Sequence, residues 1–375
     1  MIHVAWRMLV GDRTKYLSLI MGLSFAVLLI TQQASIFIGL MARTYGMVTD
    51  MPAAQVWVMD PGVQYPDDLK PLKEPDLSRV RDVPGVDWAV PLFKSTGRAR
   101  SIERGEFQTV MIFGLDPTSL IGLPSKLLEG KPDDLLDVDA VFVDDAGAAR
   151  LNVKTGDILE LNDHRARVRG IMQTERTFAS LPLIYTTYSR ATNYAPKERH
   201  MLTFVLCAPK PGITNEELAR RIEKATGLGA FTQWEFAKRT LAYYTKNTGI
   251  TINFGTTVFL GFLVGLAVAA QTFYTFTIEN IRHFGALKAM GATNGILVKM
   301  VLVQALVTGC IGYGLGVGGA TLFAHFAKNN KQLAFKMPPE LLLVSFGLML
   351  LLVTAASLIS IRKVVRVEPA IVFRG

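Results

Sequence analysis

The sequence predicts a membrane α-helical protein with four transmembrane helices and a large α+β extracytoplasmic domain inserted between the first and second. Three observations carry this. Half of the 375 residues are hydrophobic and only 19% are charged, which is too apolar for an ordinary soluble chain of this length. The apolar residues gather in windows at Leu17–Met41, Asn253–Ile278, Leu297–Phe323 and Leu341–Ile361, each long enough to cross ~30 Å of hydrocarbon as a helix. About 200 residues of globular composition separate the first window from the second.

Taken in order, residues 1–16 read as an amphipathic helix on the inner leaflet, with Ile2, Ala5, Trp6, Leu9 and Val10 on one face and Arg7 off it. The first span, 17–41, is preceded by basic residues but is too long and lacks an A-x-A-like site, so it reads as an uncleaved anchor. Residues 42–232 form the α+β domain, of one lobe or two. Strand-like runs are "AQVWVMD", "FQTVMIFGLD", "GDILEL", "RARVRGIM", "PLIYTTY" and "MLTFVLCA". Asn162-Asp163 marks a hairpin turn. "TNEELARRIEKATGLG" is a helix with a Thr214/Glu217 capping box, Leu218, Ile222 and Ala225 at helical spacing, and a Gly227 stop.

Residues 233–252 read as a stalk helix leading into the second span. Of its aromatics Trp234, Phe236, Tyr243 and Tyr244, either Tyr243 and Tyr244 lie near the outer interface or all four pack against the domain core, and both readings stay open. The spans at 253–278, 297–323 and 341–361 follow, separated by a segment at 279–296 and a loop at 324–340 and ending in a basic tail at 362–375. The net charge of +9 sits beside the spans, at Arg7, Arg13, Lys15, Arg282, Lys288, Lys299, Arg362, Lys363, Arg366 and Arg374, so its partner is the lipid surface and not nucleic acid. By the positive-inside rule both termini and the 279–296 segment are cytoplasmic. The loop with Lys328, Lys331 and Lys336 dissents, and three flanks outweigh one.

No G-x-x-x-x-G-K-[ST] loop occurs, and "GLPSKLLEGKP" has its glycines and lysine at the wrong spacing, so no nucleotide site is expected on this chain. H-E-x-x-H, G-x-S-x-G and C-x-x-C are absent, and His3, His164, His200, His283 and His325 are scattered, so neither catalytic residues nor a metal site are expected. The acidic stretches "YPDDLK" and "KPDDLLDVDAVFVDD" read as solvated loops without a calcium-loop pattern. Cys207 and Cys310 fall in different compartments, which excludes an intramolecular disulfide. Within the spans, Gly261/Gly265, Gly312/Gly316 and Gly314/Gly318 are each four apart and allow close helix approach, within one chain or between two. Gln32, Gln33, Gln271 and Gln304 are span amides expected to face protein or water.

Between the second and third spans stands "IRHFGALKAMGAT". This segment resembles the coupling segment of FtsX-like, macrolide-exporter-type (MacB-like) permeases of ABC transporters. The resemblance covers the whole chain, from "AWRMLVGDRTKYLSLIMGLSFAVLL" through "VRDVPGVDWAVP", "IFGLDP" and "LNVKTGDILEL…RVRGI" to "IRKVVRVEPAIVFRG". His283 is a departure, since the family commonly carries an acidic residue there. The resemblance implies a multi-pass inner-membrane permease that works as two copies with two copies of a separate cytoplasmic ATPase. That partner would bind ATP and magnesium, and this chain would carry no cofactor. An extracytoplasmic adaptor or membrane-fusion protein is a further implied partner. The ATPase would move the outer domain and expel or extract a hydrophobic or amphiphilic cargo. The alternatives are a division-type regulator of a cell-wall hydrolase and a membrane-anchored sensor or scaffold.

The coupling set would be Arg282, His283, Phe284, Gly285, Leu287, Lys288, Met290 and Gly291. In it, Phe284, Leu287 and Met290 would enter a partner's groove while Arg282 and Lys288 meet acidic side chains or lipid phosphates. Gly291 would stop the helix with a positive φ.

Overall fold

The structure, a computed structural model, describes residues 13–102, 106–195, 202–329 and 333–366. The helix expected at 1–16 therefore falls almost wholly outside the described residues, as does most of the basic tail. The chain forms two compact units, an outer domain over Leu40–Thr248 and a membrane unit over Met1–Gly39 and Gly249–Gly375.

The outer domain is two-lobed. Its first lobe is a β-α-β-β-α-β unit of β1 (Val56–Met59), α2 (Glu74–Arg81), the first half of β2 (Val86–Ser101), β9 (Phe204–Pro209), α5 (Asn215–Thr226) and β10 (Gly229–Thr232). The sheet order is β10-β1-β9-β2, all antiparallel. Its strands are buried on both faces. Val56, Val58, Val205 and Cys207 pack with Val80, Leu218 and Ile222 of α2 and α5. On the other face Trp57, Leu92, Phe204 and Leu206 meet Phe236 of α6 (Gln233–Asn247), Met47 and Val48 from the end of α1 (Arg13–Thr49), and Met51 just beyond it.

The second lobe is inserted between β2 and β9. It comprises β3 (Gln108–Leu115), β4 (Leu127–Glu129), β5 (Ala140–Asp144), α3 (Asp145–Leu151), β6 (Ile158–Leu161), β7 (His164–Met172), β8 (Leu183–Thr187) and α4 (Tyr188–Tyr194). The pairings β2-β3-β8-β5-β7-β6-β2 close a ring of strands, which removes the edges that a six-stranded open sheet would expose. Phe93, Ala99, Val110, Ile112, Val141, Val143, Leu159, Leu161, Ala166, Val168 and Ile184 form one cluster, which α3 and α4 cover with Ala148, Leu151, Ala191 and Tyr194.

The hairpin between β6 and β7 turns at Asn162 and Asp163 with φ 47° and 65°, the geometry of a type I′ turn. On α5, Thr214 accepts the Glu217 N–H at 3.2 Å, and Gly227 ends the helix at φ 73°. Two expectations are corrected. "AVFVDD" is not a solvated acidic loop: Ala140–Asp144 is a fully buried strand whose two sides face different clusters. The segment 233–252 is not one stalk. α6 has a Thr232/Glu235 capping box and lies against the domain core, and it ends at Thr248, whose φ −118°, ψ 149° is extended.

The membrane unit contains α1 up to Gly39, α7 (Ile250–Glu279), α8 (Ile281–Ala289), α9 (Asn294–Asn329) and α10 (Pro339–Val365). Among the described residues, four helices are long and apolar enough to cross a membrane. Leu19, Leu23, Ala26 and Val27 of α1 pack with Ala269 and Phe273 of α7, Ala305 of α9, and Met349, Leu352 and Val353 of α10.

Two carboxylates of the outer domain, the buried Asp144 and the half-buried Asp50, carry a pH dependence. Burial pushes Asp144 up to about 6, against the N–H of Leu183 donating to it at 2.7 Å. Burial likewise pushes Asp50 up to about 6, against the N–H of Glu175 at 2.6 Å. Both folded values lie above the unfolded value near ~3.9, so the folded domain holds the extra protons. This stability is fully present below about pH 4 and is lost as pH rises through about 6. Thermal unfolding of the purified protein between about pH 4 and 7 should show a falling Tm, and Asp144→Asn should flatten the slope. A Tm that rises over that interval would contradict this account.

Candidate functional site

The end of the membrane unit that carries "IRHFGALKAMGAT" is built around Phe284. α7 closes at Asn280, whose side-chain amide donates to the Phe276 carbonyl at 2.9 Å. The Asn280 carbonyl accepts the Phe284 N–H at 3.1 Å and opens α8. Phe284 is fully buried against Ala292, Leu297, Met300 and Val301 at the start of α9 and Val364 at the end of α10, with Leu287 and Ile361 beside it. α8 then stops in a complete Schellman motif. The Ala292 N–H donates to the Leu287 carbonyl at 2.9 Å and the Gly291 N–H to the Lys288 carbonyl at 3.1 Å. Gly291 sits at φ +93°, where an L side chain would be strained. Ala292 and Leu287 supply the apolar contact that accompanies such a stop. The Thr293 carbonyl accepts the N–H groups of Ile296 and Leu297 as α9 begins.

This packing sorts the expected coupling residues. Phe284 and Gly285 are buried and Leu287 is half-buried, so the expectation that Phe284 and Leu287 project toward a partner is corrected. A nine-residue helix spends one face on its own chain, and positions 284, 287 and 288 share that face. Lys288 Nζ donates to the Val365 carbonyl at 3.0 Å, a cation on the carbonyl end of α10. Arg282, His283, Ala289, Met290 and Gly291 are exposed, Met290 at 76%. The Phe284 cluster also gathers the helix ends that bear exposed Lys299, Arg362, Lys363 and Arg366. The result is a basic surface on which Met290 is the most exposed apolar side chain. Among the described residues, no three His, Cys, Asp or Glu side chains converge as metal ligands.

The glycines divide into two sets. A Cβ on Gly265 would lie 2.3 Å from Ala26 Cβ, on Gly312 2.8 Å from Leu23 Cβ, and on Gly316 2.7 Å from the Ser24 carbonyl. Gly261 faces Leu29 at 3.6 Å. These four hold α7 and α9 against α1 within one chain. Gly314 and Gly318 have no atom within 4 Å of such a Cβ and form an open face of α9. Gly309, in the same glycine-rich run, stands against Met349, and sequence spacing does not reveal Gly39, whose Cβ would meet the Phe335 backbone N at 2.7 Å. Of the span amides, Gln304 is buried, Gln32 and Gln33 are half-buried, and Gln271 is exposed on this chain.

The MacB-like periplasmic core domain model matches residues 17–225, more than half of the chain, and the FtsX-like permease C-terminal model matches residues 255–369. The chain is an ABC transporter permease of the FtsX/MacB type. The permease is 25% identical over 316 residues to an uncharacterised ABC transporter permease of Mycobacterium tuberculosis, found in strains CDC 1551 and H37Rv, with 81% of this chain and 80% of the relative covered. Among solved structures, the periplasmic region of MacB from Actinobacillus actinomycetemcomitans is 14% identical at TM-score 0.39 and covers 51% of this chain and 94% of its own. The extracellular domain of a noncanonic ABC-type transporter, YknZ, from Gram-positive bacteria is 16% identical at TM-score 0.35, covering 48% and 98%.

The two glycine sets give a paired test. Gly265→Leu should destabilise the permease by more than the about 1–3 kcal/mol of ordinary overpacking, because the contact is with Ala26 on a neighbouring helix. Gly314→Leu enters open space within the chain and should leave the Tm of the monomeric permease in detergent within about 2 °C. Equal effects of the two substitutions would contradict the division.

Proposed function

We propose that a separate ATP-hydrolysing subunit grips the permease at α8 and that its cycle is transmitted to the outer domain, so that a hydrophobic or amphiphilic cargo is exported or extracted. The observation that carries this reading is α8 itself: a short helix locked by Phe284 and by the Gly291 stop, presenting Arg282, His283 and Met290 outward. A platform fixed before binding loses little ordering entropy, and a strongly exposed apolar residue among basic side chains has the layout of an interface anchor. In this reading α8 and both termini are cytoplasmic, in accord with the basic flanks of the spans. ATP and magnesium belong to the partner, and this chain performs no catalysis.

Two permease copies act together. The exposed Gln271 amide on α7, the least covered of the four long helices, and the open Gly314/Gly318 face offer surfaces for that contact. An extracytoplasmic adaptor would engage the outer domain.

Met290→Asp places a charge in the proposed contact, and Gly291→Val strains the helix stop. Each should weaken pull-down of the co-purifying ABC ATPase by about tenfold or more, while membrane insertion and Tm stay near the parent values for Met290→Asp. Leu287→Asp is a poorer probe because Leu287 packs in the Phe284 cluster. Normal association and normal cargo-stimulated hydrolysis in both variants would reduce α8 to a topological connector. ATPase binding without cargo movement would instead favour the regulator of a cell-wall hydrolase.

A further inference from the structure

The outer domain joins the membrane unit at two places in the chain, the end of α1 and the end of α6. One irregular loop, Gln173–Pro182, touches both. On the α1 side, the Glu175 N–H donates to Asp50 Oδ2 at 2.6 Å and Arg43 donates to Ser180 Oγ at 3.2 Å. Gly46 brings the α1 backbone so close that its Cβ would stand 3.1 Å from Glu175 Cβ and 3.3 Å from the Arg176 carbonyl. On the α6 side, the Phe178 ring lies 4.9 Å from that of Tyr244.

The loop is itself fixed to the closed ring of strands of the second lobe, a small barrel. The Gln173 N–H donates to the Lys126 carbonyl, Arg150 donates to the Ser180 carbonyl, and the Pro182 carbonyl accepts the Met111 N–H. Further ties run the same way. Gln233 Nε2 of α6 donates to the Val48 carbonyl of α1 at 2.7 Å. Tyr65 stacks on Tyr243 at 4.4 Å and meets Tyr244 edge-on at 5.5 Å. The loop bearing Tyr65 is held by the fully buried Lys94, which donates to the Pro66 carbonyl at 2.8 Å and pairs with Asp67.

We propose that loop Gln173–Pro182 is a bracket that ties the two connections of the outer domain to each other and to the barrel, so that displacement of one is imposed on the other. Its positioning residues are Asp50 and Arg43 on one side and Phe178 and Tyr244 on the other. A loop serving only to join β7 to β8 would need contacts with the barrel alone. This one spends a backbone N–H, a serine hydroxyl and an aromatic ring on two elements outside it. The role in transport rests on the coupling reading above, whereas the mechanical tie does not.

The test therefore has two arms, both on the full permease in lipid nanodiscs with Cys310→Ser, since Cys207 is buried. In the first, without ATPase, spin labels on Thr49→Cys and Lys246→Cys report the distance between the two connections. The distribution should be narrow in the parent and about twofold broader in Arg43→Ala/Asp50→Ala and in Phe178→Ala. Unchanged widths would overturn the bracket whatever transport does.

In the second arm, with the co-purifying ATPase, both variants should lose about tenfold in cargo moved per ATP hydrolysed. Gly46→Cys with Glu175→Cys has a Cβ spacing close to the ~3.5–4.5 Å of a disulfide and replaces only the α1 tie. Oxidising that pair should restore coupling to Arg43→Ala/Asp50→Ala, reversibly on reduction, and should not restore it to Phe178→Ala. Broadened distances with undiminished coupling would overturn the bracket's part in transport. A parent permease that shows no ATPase response would sink the coupling reading and leave the bracket to be judged by the first arm.

Discussion

Close backbone approach around α1 is the constraint on which the membrane unit depends. Helices in lipid gain little from burying apolar surface against one another, so what holds them is contact at short range. Gly265 admits Ala26, Gly312 admits Leu23, and Gly316 admits Ser24 and Val27, leaving α7 and α9 seated on α1 with no room for another methyl group. Only with α7 and α9 so placed can α8, the short piece of chain between them, be held in one position. Phe284 completes that placement by joining the start of α9 to the end of α10.

That arrangement explains how a segment of few residues can hold the fixed surface that the proposed coupling requires. Nine residues of isolated helix are marginal in water. α8 gains its order from the buried Phe284, the Schellman stop at Gly291 and the Lys288 hydrogen bond to the end of α10. Its exposed side can then be small and mostly polar, because the surface needs no rearrangement to be recognised. In the outer domain the same logic appears in another form. Closed strand pairing and two covered sheet faces make a stiff body, and loop Gln173–Pro182 fastens it to the ends of α1 and α6.

Much of this was legible in the sequence, and the gaps have physical reasons. The long apolar runs, the Asn162-Asp163 turn and the Gly227 and Gly291 stops are local signals, and they read correctly. β2 was missed because Pro91, Lys94 and Gly97 interrupt it. The strand survives because it changes partners, from β9 to β3, between Leu92 and Phe93, and because Lys94 finds Pro66 and Asp67. β5 carries no alternating strand pattern in the sequence because it is buried on both sides. At α8 the spacing identified the right residues and the wrong face. Whether Phe284 turns inward depends on Leu297, Met300 and Val364, which lie in other helices. The division of glycines into packed and open sets is likewise a tertiary fact that i, i+4 spacing cannot reveal.

The central claim is that α8 is the surface at which an ATPase acts on this permease. Hydrogen–deuterium exchange of the permease in nanodiscs, with and without the co-purifying ABC ATPase, tests it directly. The account predicts that ATPase binding slows exchange of the amides from Arg282 to Thr293 more than anywhere else in the membrane unit. Unaltered exchange across that segment, with protection appearing at another part of the chain, would contradict it.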